Sequence, residues 1–209
     1  MLSTDDYARF AGVIRVNPPV REKRNQEPLW AALKDGTIDV IATDHAPHSI
    51  EEKTRNDIWT VDCGFPGVET QMPIMLSEVA TGRYSVSDYV RWSSANPAKI
   101  WGLYPRKGVV QAGADADIAI VDLARQWTID DAKLQSHSRI SPFQGYKVTG
   151  LPVHTLVRGR FVMKDRTLVS GTRGWGRSVH AIQNLPAPRP QNTDQTMQAI
   201  LRPARPSQS

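Results

Sequence analysis

Ile38-Asp39-Val40-Ile41-Ala42-Thr43 runs without a turn residue into Asp44-His45-Ala46-Pro47-His48. A short apolar run rich in β-branched residues reads as a buried strand. Upstream, Pro28 to Lys34 reads as a short helix, with Pro at its start and Gly36 past its end. Further upstream, Val13-Ile14-Arg15-Val16 is a second β-type run. It stops at Asn17-Pro18-Pro19, because two prolines cannot continue a ladder. Strand, helix, strand is the rhythm of an α/β fold, and the polar residues fall at the strands' C-terminal ends.

Downstream, residues 49–67 read as a loop closing in Gly64-Phe65-Pro66-Gly67. Val68, Met72, Met75, Leu76 and Val79 fall at helical spacing, with Gly82 as the stop and Pro73 near the start of the regular helix. Ser85-Val86-Ser87-Asp88 is a capping-box-like start to another helix. That helix is expected to end before Asn96, which caps the next one with Pro97 at its first position. After residue 105 the texture turns to short β-type runs at Gly108–Val110, Asp117–Leu123, Thr155–Val157 and Phe161–Met163, read as a small antiparallel β unit. From about Ala181 the chain is rich in Pro, Gln, Asn and Ala and reads as an extended or disordered tail. The expected division is residues 1–105, residues 106–170, and a tail over residues 171–209.

The composition bounds the function. The chain has 209 residues, 40% apolar and 22% charged, which suits a globular core. No apolar run approaches the ~18 residues of a membrane span. The N-terminus has no signal-peptide pattern. The single cysteine, Cys63, excludes an internal disulfide framework and suits a reducing, cytoplasmic setting. The net charge of +5 is spread along the chain with no recognisable nucleic-acid module, so a solvated basic surface is the expectation and nucleic acid is not an expected partner. The six tryptophans read as packing residues.

Asp44 is the sharpest chemical candidate. A carboxylate at the top of a parallel strand sits where α/β enzymes place catalytic groups, though a turn or helix cap explains a lone Asp as well. His45 and His48 offer metal-ligating nitrogens, but two histidines make no complete zinc site. Asn17, before a rigid Pro-Pro corner, could present both a donor and an acceptor, or simply form the turn. The glycines of Gly64–Gly67 could bring backbone N–H groups close to a ligand, or make an ordinary tight turn.

Taken in order, these pieces resemble the C-terminal half of the cyclic amidohydrolases, the dihydroorotase, allantoinase and hydantoinase group. The resemblance is carried by Arg15–Arg21, Ile41–His48, Gly64–Thr70 and Asn96–Ile100. It continues through Lys107-Gly108, Gly113–Asp117, Ser141-Pro142-Phe143 and Val157-Arg158-Gly159. It implies an α/β fold: the last two strands and helices of a metallo-dependent (β/α)8 barrel, followed by the C-terminal part of a small β-sandwich. Asp44 would ligate one metal of a binuclear zinc centre and carry a proton from the attacking water to the leaving ring nitrogen. Asn17 and His48 would hold the substrate, with Gly64, Phe65, Pro66 and Gly67 against its ring. The Asn17-Pro18-Pro19 and Asp44–His48 forms look most like dihydroorotases. The implied substrate is a cyclic amide.

The resemblance also implies metal ligands that do not occur here. No histidine precedes His45, there is no His-x-His pair, and His137, His154 and His180 lie in the β unit and beyond. A complete barrel takes ~250 residues. The expectation is therefore a C-terminal fragment, inactive alone, that works with a complementing N-terminal half or as a homo-oligomer. The alternative is a non-catalytic relic or an interaction subunit docking on an active homologue.

Overall fold

A computed structural model describes residues 1–180; the expected tail from Ala181 lies outside them. The core is built on the Gln71–Ala80 helix. One face buries Met75 and Leu76 with Trp30 and Leu33 of the Gln26–Asp35 helix and with Tyr84, Tyr89 and Trp92. The aromatic rings meet at 5.5 Å (Trp30 and Tyr84) and at 5.0 Å, edge-on (Tyr84 and Trp92). Burial pushes the Tyr84 hydroxyl pKa up, and its O–H donates to the Met75 carbonyl at 2.7 Å. The helix's other face buries Ile74 against Ile129, Val148 and Leu151.

Those last residues lie in and beside an antiparallel sheet of four strands in sequential order: β1 (Ile118–Thr128), β2 (Lys147–Val157), β3 (Arg160–Lys164) and β4 (Thr167–Leu168). β1 and β2 pair from Ile118 opposite Leu156 to Thr128 opposite Lys147. Arg158 and Gly159 turn β2 into β3 with φ of +49° and +76°, the signs that a tight two-residue hairpin needs. The sheet docks on the helix through Gly150, where a Cβ would lie 2.7 Å from that of Leu76. Beside it, Ser77 Oγ accepts the Thr149 N–H at 2.8 Å.

Several sequence expectations change. Val13–Val16 is not a paired strand: a 3-10 turn covers Ala11–Ile14, and Arg15 is extended. Ile38–Thr43 likewise joins no ladder. It is held laterally instead, by Ile38 N–H to Ala32 O (2.9 Å) and Ile41 N–H to Trp92 O (3.2 Å), with Ile38 and Ile41 packed on the aromatic core. A ladder needs a neighbouring strand, and among the described residues no strand lies beside either segment. Gly108–Val110 forms no strand, and Val110 is exposed. The helix does not break at Asn96. Val86–Val90, a wider turn over Arg91–Ala95 and Asn96–Ile100 run on as one rod. The wide turn absorbs the N–H missing from Pro97, and Asn96 Nδ2 donates to Asp39 O at 2.9 Å. The Ser85 capping box forms as expected. Trp30 and Trp92 are buried, whereas Trp59 and Trp101 lie on the surface. No helix of the described residues is long and apolar enough to cross a membrane.

Candidate active-site half

Two extended segments and one glycine loop converge. Asp44 ends the first segment, exposed and with φ +44°, a left-handed conformation that side chains disfavour and that clusters at functional sites. Asn17 ends the second segment, at the surface before the Pro-Pro corner. The Gly64–Gly67 loop lies against both segments. Gly64 N–H donates to Arg15 O at 2.9 Å, and Ala46 N–H donates to Phe65 O at 3.3 Å. A Cβ on Gly64 would sit 2.5 Å from that of Ala46, so only glycine allows this approach. Pro66 and Gly67 are buried, and Phe65 meets Phe143 edge-on at 6.1 Å.

The connection from Asp44 to the loop is bolted from inside. Ser49 caps a helical turn over Ile50–Lys53, with reciprocal bonds to Glu52. That turn drives Lys53 inward until it is 1% exposed. Its ammonium donates to Arg15 O at 3.0 Å and to Asp62 O at 2.8 Å, while burial holds its pKa below the usual lysine range. The Arg15 guanidinium donates to the Trp59 carbonyl (3.0 Å) and to that of Val61. Arg15 and Lys53 thus fix the loop between Asp44 and Gly64 to the segment that carries Asn17.

His48 Nε2 lies 3.1 Å from Cys63 O and its Nδ1 lies 3.4 Å from the Glu52 carboxylate. His45 Nδ1 accepts the N–H groups of Gly67 (3.1 Å) and Val68 (3.3 Å). The sequence reading missed Lys53 and weighed His45 only as a metal ligand, whereas its Nδ1 is taken up by backbone amides. A buried lysine held by carbonyls leaves no periodic signal.

The metal expectation meets a clear limit. Among the described residues, the grouping of three ligand-type side chains is His48, Glu52 and Asp62, with ligand atoms within 4.8 Å of one another. Asp44 is not in it. Each member is already engaged: Glu52 accepts the Ser49 N–H at 2.7 Å and Asp62 pairs with Arg55 at 3.1 Å. A zinc site takes three or four protein ligands. The described residues of this chain therefore do not form a binuclear centre by themselves.

Residues 16–162 match the amidohydrolase family. The L-hydantoinase of Paenarthrobacter aurescens is 40% identical over 182 residues, which is 85% of this chain and 39% of that protein. The dihydroorotase of Geobacter sp. (strain M21) is 43% identical over 160 residues, 76% of this chain and 37% of that protein. Among solved structures, an L-hydantoinase (dihydropyrimidinase) from Arthrobacter aurescens superposes with a TM-score of 0.78 at 38% identity. It covers 80% of this chain and 38% of that one. A dihydropyrimidinase from Brevibacillus agri NCHU1002 gives 0.75 at 32% identity, over 81% of this chain and 38% of that one. The chain thus spans under two fifths of the length of these relatives. With that match across most of its described residues, the chain belongs to the amidohydrolase family, whose metallo-dependent fold is TIM-barrel-like.

Proposed function

We propose that this chain contributes the Asp44-bearing part of a cyclic amidohydrolase. In this reading the extended ends of the Val13–Asn17 and Ile38–Asp44 segments take the places of the last two barrel strands once further strands lie beside them, and residues 106–170 are a portion of the β-sandwich. The observation that carries it is the joining of the Asp44 turn to the Gly64–Gly67 loop inside the region matched by hydrolase relatives. The unpaired segments support it too. The second of them, through Ile38, Val40, Ile41 and Ala42, borders an apolar groove of about 470 Å³ whose lining also includes Val20, Leu29 and Phe143, a surface suited to further barrel strands.

Hydrolysis of a ring amide moves one proton from the attacking water to the leaving nitrogen, and in this reading Asp44, which follows the Ile38–Thr43 segment, carries it. Asn17 and His48 hold the substrate, with Gly64, Phe65, Pro66 and Gly67 against its ring. Zinc is the proposed cofactor of the complete catalytic unit, with Asp44 as the one ligand from this chain. The partner is the complementing N-terminal portion, in another chain or a longer form of this one. The substrate is dihydroorotate-like, because the His48 imidazole is a chemically sensible partner for an anionic acid. A substituted hydantoin is the second reading, favoured by the 40% identity to an L-hydantoinase.

The test co-expresses this chain with the unmatched N-terminal portion of each relative, the Geobacter dihydroorotase and the Paenarthrobacter L-hydantoinase. Turnover of dihydroorotate and of a 5-substituted hydantoin is then measured with zinc present. Dihydroorotate turnover with both portions supports the reading. A preference that follows the added portion removes the substrate assignment. Absence of all turnover, with the chain instead co-purifying with an intact homologue, favours a docking subunit.

A further inference from the structure

His45 Nδ1 accepts two backbone N–H groups at once, those of Gly67 and Val68. An imidazole that accepts at Nδ1 carries its proton on Nε2. Nδ1 is thus committed to the protein's own backbone rather than to a ligand. The two amides lie at the far end of the glycine loop. Its near end is tied separately, through Gly64 to Arg15 and through Phe65 to Ala46. At the far end Gly67 closes onto Thr43, where a Cβ would lie 2.8 Å from the Thr43 carbonyl oxygen. The loop therefore ends on the residues either side of Asp44. Asp44 itself holds a positive φ, which persists only where the surroundings fix it.

We propose that His45 is a positioning residue: it clamps Gly67 and Val68 to the Asp44 turn and so sets the spacing between that carboxylate and the loop that receives the substrate ring. The proposal rests on the hydrolase reading for its consequence, and on the two hydrogen bonds for the clamp.

Two substitutions separate the clamp from mere bulk. In His45→Leu the acceptor is gone. In His45→Asn an oxygen on Cγ takes the place of Nδ1. Amide hydrogen exchange and the imidazole ¹⁵N signals of the 209-residue chain read the clamp directly. The unsubstituted protein is expected to show His45 protonated on Nε2 alone. Gly67 and Val68 should exchange about tenfold faster in His45→Leu and near the original rate in His45→Asn. In the complemented enzyme, His45→Leu should lower kcat/KM about tenfold, with kcat falling, and His45→Asn should restore it. Unaltered exchange in His45→Leu, an Nδ1-protonated tautomer, or failure of Asn to restore protection overturns the clamp. If the unsubstituted mixture is inactive, the hydrolase reading fails, and the exchange and ¹⁵N results still decide the clamp. Active mixtures in which His45→Leu leaves kcat and kcat/KM unchanged overturn the positioning role.

Discussion

The ammonium of Lys53 lies 3.0 Å from the carbonyl oxygen of Arg15, and only 1% of the lysine is exposed. A buried cation is tolerated because it is hydrogen-bonded, here by carbonyls on two separate segments. Lys53→Ala removes the bolt and leaves the Asp62 carbonyl short of a donor. It is expected to destabilise the chain by about 1–3 kcal/mol. Urea unfolding checks this, and an unchanged midpoint contradicts it.

Gly150 lets β2 approach the Gln71–Ala80 helix. Its φ is +96°, and a Cβ would meet that of Leu76 at 2.7 Å, a contact between a strand and a packed helix that cannot flex away. Gly150→Ala is expected to cost about 1–3 kcal/mol through overpacking and backbone strain. Thermal unfolding measures it. A melting temperature at or above the original would show that the two elements separate freely.

Lys107 bridges Asp115, at 2.9 Å, and Asp117. Its hydrogen bond holds the Asp115 pKa below the usual carboxylate range. Asp117 is lowered as well: burial alone would raise it, but Lys107 and the Arg158 N–H outweigh that. Burial alone would lower the Lys107 pKa, but its bonds to the two carboxylates outweigh burial and raise it. The carboxylate contribution is therefore complete above their unfolded pKa of about 4 and is lost as pH falls through the lower folded values. The Lys107 contribution is complete below its unfolded pKa of about 10.4 and is lost as pH rises through the folded value. Lys107→Met should flatten both limbs of stability against pH. Limbs identical to those of the original protein would exclude the cluster as their source.

The tryptophans divide by burial. Trp92 is 1% exposed at the centre of the aromatic core, whereas Trp101 is 73% exposed. Trp92→Ala is expected to cost about 3–5 kcal/mol, and Trp101→Ala to change stability by under about 0.5 kcal/mol. Denaturant unfolding of the two variants gives the comparison. Equal losses would mean that Trp101 packs against something.

Local signals in the sequence were legible where a few neighbouring residues decide the outcome. Ser85 and Asp88 form their capping box, Met75 and Leu76 face the core, and Arg158-Gly159 makes its hairpin turn. Signals that depend on a distant neighbour were not. Val13–Val16 and Ile38–Thr43 have strand composition, but pairing is a property of two segments and one alone cannot supply it. Asn96-Pro97 reads as a helix break because the widened turn that accommodates proline has no sequence signature. In the candidate site, Asp44, Asn17, His48 and the glycine loop stand out by residue type. Lys53 and His45, which fix the loop, act on backbone atoms 9 to 38 residues away. Composition and spacing do not reveal such partners.

The most direct test of the hydrolase reading compares zinc-dependent ring hydrolysis by three samples: the chain alone, the chain with a complementing N-terminal portion, and that mixture carrying Asp44→Asn. The expected result is no turnover alone, turnover in the mixture, and a loss of about 10²-fold or more with Asp44→Asn, the scale of a proton-transfer group. A mixture that keeps its full activity when Asp44→Asn is introduced would contradict the account.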